Sequence, residues 1–162
     1  ATQLEDPSRP GQPNYKIGAY RLVGFKDTVE RWDAQIKSAE KTVWREEIVL
    51  KTFFETSLKT DPAGKDQHPP VFRAPNGVLI DIYYIFSQKP VYDARKIRIP
   101  VLVIRGADDM ESTDPDARGL FDCLVNSPLK RYVVIGDATH IVNLERNRYQ
   151  LFEEVQLFLG DR

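Results

Sequence analysis

Two short aliphatic runs constrain this chain more than any other feature: Pro100-Val101-Leu102-Val103-Ile104 and Tyr132-Val133-Val134-Ile135. Neither alternates apolar with polar residues, so each predicts a strand covered on both faces, as in a parallel sheet flanked by helices. Between them, Asp114 predicts an N-cap and Pro115 a first helical turn, opening a helix through Leu120, Phe121 and Leu124. After the second run, Tyr149, Leu151, Phe152, Val155, Leu157 and Phe158 give an amphipathic final helix across 144–159. Strand and helix alternate, and the expected fold class is α/β with two parallel strands.

Both runs end in residues with chemistry to offer. The first continues into Gly106-Ala107-Asp108-Asp109, the second into Gly136-Asp137-Ala138-Thr139-His140. Residues just beyond the carboxyl ends of parallel strands converge on one edge of the sheet. A carboxylate there can accept an imidazole N–H, fix the tautomer and stabilise the imidazolium formed when the ring takes a proton. Asp109 is the expected acid, with Asp108 the alternative, and His140 the expected base. Asp137 is near enough to tune His140 or to serve only in the turn. Glu145 and Arg146 are expected to cap or pair around the last helix. His68, between Gln67 and Pro69, is expected to be a solvated loop residue. The two histidines show no paired spacing, so neither a metal nor a cofactor is expected.

Upstream, 27–59 alternates charge with Val29, Trp32, Ile36, Val43, Trp44, Ile48, Val49, Phe53, Phe54 and Leu58, which predicts two helices joined near 38–41. Residues 60–70 are rich in Pro, Gly and charge and predict an exposed loop. Pro75 then suits a first turn, and Val78, Leu79, Ile82, Tyr83, Ile85 and Phe86 predict a helix to about Ser87, buried on most sides. The expected division is a loop or linker at 1–18, a helical segment at 19–90 and an α/β portion at 91–162. Trp32, Trp44, Tyr83, Tyr84 and Phe86 could line a pocket, although aromatics at helical spacing are more often core.

Composition narrows the partners. With 29% charged residues, interspersed signs and a net charge of −1, the chain has no basic run to neutralise phosphates, so nucleic acid is not expected. Cys123 is the one cysteine, within Leu120-Phe121-Asp122-Cys123-Leu124-Val125, so no disulfide can form within the chain. It reads as a residue inside an apolar helix and a poor nucleophile. A reducing, cytoplasmic location fits. No apolar run approaches the roughly 20 residues of a membrane span, and no membrane partner is expected.

Taken together, these residues resemble the C-terminal half of an α/β-hydrolase: a cap or lid segment, then the last two strands of the sheet. In that family a Gly-x-x-Asp ends the penultimate strand, matched by Gly106 to Asp109, and the histidine follows the last strand, matched by His140. Arg73-Ala74-Pro75-Asn76-Gly77 and Pro90-Val91-Tyr92-Asp93 are similar to an esterase-like or lysophospholipase-like branch. The resemblance implies a serine hydrolase acting on a small-molecule ester, thioester or amide. One departure is large. No Gly-x-Ser-x-Gly occurs: Ser8, Ser38, Ser57 and Ser87 lack the flanking glycines, while Ser112 and Ser127 follow Asp109, the wrong order for the family. The expectation is that nucleophile and oxyanion hole lie in an N-terminal half outside this chain or in a swapped second chain, and that these residues alone are inactive. Two open-edged strands are also expected to leave the isolated chain marginal or prone to pairing. An Asp nucleophile would change the reaction to epoxide or haloalkane hydrolysis. A non-catalytic module binding through its sheet edge is the alternative from another class.

Overall fold

A computed structural model of the chain describes residues 4–160. In order, the elements are β1 (Tyr20–Gly24), α1 (Phe25–Asp33), α2 (Glu47–Lys59), α3 (Pro62–Lys65), β2 (Val71–Pro75), α4 (Gly77–Phe86), β3 (Val101–Gly106), α5 (Asp114–Cys123), β4 (Lys130–Ile135) and α6 (Arg148–Gly160). Short 3₁₀ turns occupy Lys41–Val43 and Ala94–Lys96. The architecture is mixed α/β with two small sheets, one antiparallel and one parallel.

The chain packs as two compact units interleaved in sequence. One comprises the described residues up to Asp27 with Glu55–Asp93; the other comprises Thr28–Phe54 with Ala94–Arg162, described to residue 160. Residues 19–90 thus contribute to both.

The first unit is built on β1 and β2, antiparallel, with Tyr20 opposite Pro75 and Gly24 opposite Val71. Neither strand was legible as such, and Pro75 closes β2 where the sequence predicts it to open a helix. The pairing joins segments some fifty residues apart, and neither five-residue run carries a period-2 pattern strong enough to announce it. Buried Asn76 donates Nδ2–H to the Ile17 carbonyl at 2.8 Å and its own N–H to Ala19 at 2.9 Å, so the chain before β1 is tied to the end of β2. Buried Asp61 accepts Nη2–H of Arg73 at 2.6 Å and the Arg73 backbone N–H at 2.7 Å. The predicted 60–70 loop contains one helical turn, α3. Helix α4 departs from expectation in its burial: Tyr83 is covered, but Phe86 is 60% exposed and Val78 and Ile85 about half so. Its sequence is apolar apart from Asp81, whereas only part of its surface is covered. Residues 4–18 form turns, including a buried Asp6 that accepts from Ser8 and Arg9; residues 1–3 of the predicted linker lie outside the described residues.

The second unit holds β3 and β4, parallel, from Val101 opposite Lys130 to Gly106 opposite Ile135. Helix α5 makes the crossover that a parallel pair requires. Its N-cap is Thr113, one residue before the predicted Asp114; the Asp116 carboxylate accepts from the Thr113 N–H at 3.0 Å and from its hydroxyl, as in a capping box. Asp114 instead pairs with Arg118 one turn on and accepts from the Tyr132 hydroxyl at 2.8 Å. Cys123 is the last residue of α5 and exposed, not inside the helix as its neighbours suggest. The final helix begins at Arg148, because 141–147 turn back on themselves to satisfy local amides. The aliphatic residues of β3 are half-buried rather than covered on both faces.

Two apolar clusters hold this unit. Trp32, Ile36 and Leu50 pack with Val29, Trp44, Val49, Ile141 and Leu144. Ile135, Ala138 and Val142 pack with Ile104, Val133 and Leu151. Each fully buried side chain of this kind contributes about 1.5–3 kcal/mol by leaving water. The first cluster joins α1 and α2 to the loop after β4, and that loop carries His140.

Candidate active site

Both strand ends lie side by side, and the backbone fastens them. Ala107 donates its N–H to the Ile135 carbonyl at 2.7 Å, and Asp108 donates to Ala138 at 2.9 Å. Gly106 is what permits this approach: a Cβ there would stand 2.3 Å from the Ala138 oxygen and 2.5 Å from that of Thr139. The sequence glycine that introduces the acid is therefore a spacing requirement.

Past Gly106 the chain turns so that Asp109 points back. Its Oδ1 accepts the backbone N–H groups of Glu111 and Ser112, both at 2.8 Å. Buried Arg105 braces the same loop through carbonyls, donating Nη2–H to Asp109 O and Nε–H to Ser112 O, each at 3.0 Å. Asp109 Oδ2 lies 3.0 Å from His140 Nδ1, and Oδ1 lies 3.2 Å from it. A carboxylate offers only acceptors here, so Nδ1 is the donor in this contact. The His140 side chain is 37% exposed and that of Asp109 5%, an accessible ring on a buried carboxylate. Asp108, the alternative acid, instead forms an ion pair with Lys37. Asp137 occupies the turn at φ +47°.

Three residues that the sequence did not nominate complete the site. Glu111 Oε2 is 3.7 Å from His140 Nε2, and Arg31 holds that carboxylate through Nη2 at 2.8 Å to Oε2 and 2.9 Å to Oε1. Gln35 bridges the two loops: its Nε2 donates to Glu111 Oε1 at 2.9 Å, and its Oε1 accepts the His140 backbone N–H at 3.2 Å. Glu145, expected only to cap or pair near the last helix, is fully buried and accepts from Trp32 Nε1 at 3.0 Å, Thr139 N at 2.8 Å and Thr139 Oγ1 at 2.7 Å. These contacts span up to 113 positions, so no local spacing could have revealed them. Trp32 is core, as its helical spacing favours.

Among the described residues no serine, threonine or cysteine side chain is hydrogen-bonded to His140 Nε2; its neighbour is Glu111. No group of three or more His, Cys, Asp or Glu among the described residues could hold a metal ion. No helix among them is long and apolar enough to cross a membrane. Comparison with protein-family models, curated proteins and solved structures yields no match to this chain.

Proposed function

We propose that this chain carries the acid and base of a hydrolase that attacks esters, thioesters or amides through a nucleophile lying outside these 162 residues. The observation that supports the reading best is the Asp109–His140 pair. The acid is buried and engaged by two backbone amides on one oxygen and by Nδ1 on the other, while the ring is 37% exposed and its Nε2 lies 3.7 Å from Glu111 Oε2. In this reading an incoming hydroxyl gives its proton to Nε2 as its oxygen attacks the carbonyl carbon. Asp109 stabilises the imidazolium, and His140 then returns the proton to the leaving group. Glu111 adds negative charge on the Nε2 side of the ring.

The test is turnover of a series of short-chain p-nitrophenyl esters by the longer protein containing this chain, beside its His140→Ala and Asp109→Asn variants and the 162-residue chain alone. Hydrolysis confined to the longer protein and abolished in both variants supports the proposal. A folded longer protein that hydrolyses none of the series, or that hydrolyses equally well without His140, overturns it. Turnover of epoxides or haloalkanes in place of esters would assign the nucleophile as a carboxylate, and capture of a partner without turnover would leave a binding role.

A further inference from the structure

Glu145 sits in the loop between β4 and α6 with its side chain entirely out of solvent. Three donors converge on its carboxylate: the Trp32 indole, the Thr139 hydroxyl and the Thr139 backbone N–H. The Thr139 hydroxyl itself accepts from Ile141 N–H at 3.2 Å, which commits its proton to Glu145. Among the described residues no Lys or Arg is paired with this carboxylate. Removing a carboxylate from water without a countercharge is destabilising, and an apolar side chain beside Trp32 and Ile141 would avoid that loss. What an apolar side chain cannot do is hold the backbone amide of Thr139.

That amide matters because of its neighbours. The Ala138 carbonyl is fixed by Asp108 N–H at 2.9 Å, the Thr139 amide by Glu145 at 2.8 Å and the His140 amide by Gln35 at 3.2 Å. Two successive peptide groups are therefore anchored from three residues distant from them in the chain, and the first is held at both its carbonyl and its N–H. We propose that Glu145 is a positioning residue for His140: by fixing Thr139 it sets the ring where Nδ1 meets Asp109. It acts through the backbone, without touching substrate. The proposal rests on His140 being the base.

The experiment reads the ring rather than turnover. Nitrogen-15 NMR of the full chain, with the His140 signals assigned by comparison with His68→Gln, reports which ring nitrogen carries the proton. In the wild type the Nδ1–H tautomer is expected to dominate. Glu145→Gln retains the size but turns an N–H₂ group toward one of its donors, and is expected to shift the population away from Nδ1–H while the fold, followed by circular dichroism, is kept. A folded Glu145→Gln variant with the wild-type tautomer overturns the proposal. If that variant does not fold, Thr139→Val and Trp32→Phe decide: the first is expected to shift the tautomer, whereas the second, which spares both Thr139 bonds, is expected to leave it alone. Equal shifts in the two, or none in either, overturn it. A wild-type ring lacking the Nδ1–H form would instead sink the Asp109–His140 pairing itself, so the two failures are distinguishable.

Discussion

The two units of this molecule each bury carboxylates, but they satisfy them differently. In the antiparallel unit Asp61 is matched by the Arg73 guanidinium, and Asp6 by Ser8 together with Arg9 and Lys16. In the parallel unit Asp109 and Glu145 are surrounded by backbone amides, an imidazole, an indole and a hydroxyl, with no Lys or Arg paired to either carboxylate among the described residues. An ion pair neutralises a buried charge and leaves little for it to do. A carboxylate held only by uncharged donors and a titratable ring keeps its negative potential available, which is what a base needs beside it when it becomes an imidazolium. The difference teaches that burial alone does not distinguish these carboxylates; the kind of partner does.

If that contrast is right, Asp109→Asn should act on activity first. In the protein that carries this chain, esterase turnover is expected to fall on the order of 10⁴-fold, as when a triad acid is replaced, and His140→Ala should fall comparably. Melting temperatures measured alongside separate this from a structural role, which would lower stability and leave the residual folded enzyme active. Next in size is the core that carries the histidine loop: Leu50→Ala, at a fully buried position, should cost about 2–5 kcal/mol in urea unfolding. Gly106→Ala sharpens the comparison from the backbone side. The added methyl meets carbonyl oxygens that cannot rotate away, so a loss of about 1–3 kcal/mol, typical of overpacking, should come with a displaced His140 ring signal.

The smallest effect is expected in the antiparallel unit and depends on pH. The Arg73 side chain holds Asp61 down from 3.8 to about 2, and hydrogen bonds from Ser8 hold Asp6 down to about 2. A carboxyl whose folded value is depressed stabilises the fold fully above its unfolded value and stops doing so as pH falls through the folded one. The protection factors of the β1 and β2 amides should therefore fall as pH drops from 3.8 toward 2, and Asp61→Asn should flatten part of that dependence while Asp6 retains the rest. Equal pH dependence in Asp61→Asn and wild type would show that the ion pair contributes nothing to this unit.

Legibility followed the range of the interactions. Strands β3 and β4 could be read because consecutive aliphatic residues are a local signal, and the proximity of Asp109 to His140 because position at parallel strand ends is a topological one. The start of α5 was legible to within a residue from Asp114-Pro115, but the choice of Thr113 as cap depends on Asp116 reaching back. Strands β1 and β2 were not legible, since their pairing is settled by partners distant in the chain. Glu145 looked like a helix-end charge, and only the folded arrangement of Trp32 and Thr139 around it reveals a buried acceptor. The apolar sequence of α4 described its composition correctly and its burial wrongly, because hydrophobicity states what a side chain favours and packing decides what it receives.

Arg31, Trp32 and Gln35, in and just after α1, reach Glu111, Glu145 and the His140 amide from within little more than one helical turn. Arg31 and Trp32 lie on the last turn of α1 and Gln35 in the turn that follows it, so the three contacts depend on one short stretch of fixed length. Replacing one of these residues loses its own bonds, but inserting or deleting one position among 31–35 would put the others out of alignment together. In the history of such a chain this stretch should vary by substitution and keep its length, a constraint on gaps rather than on letters.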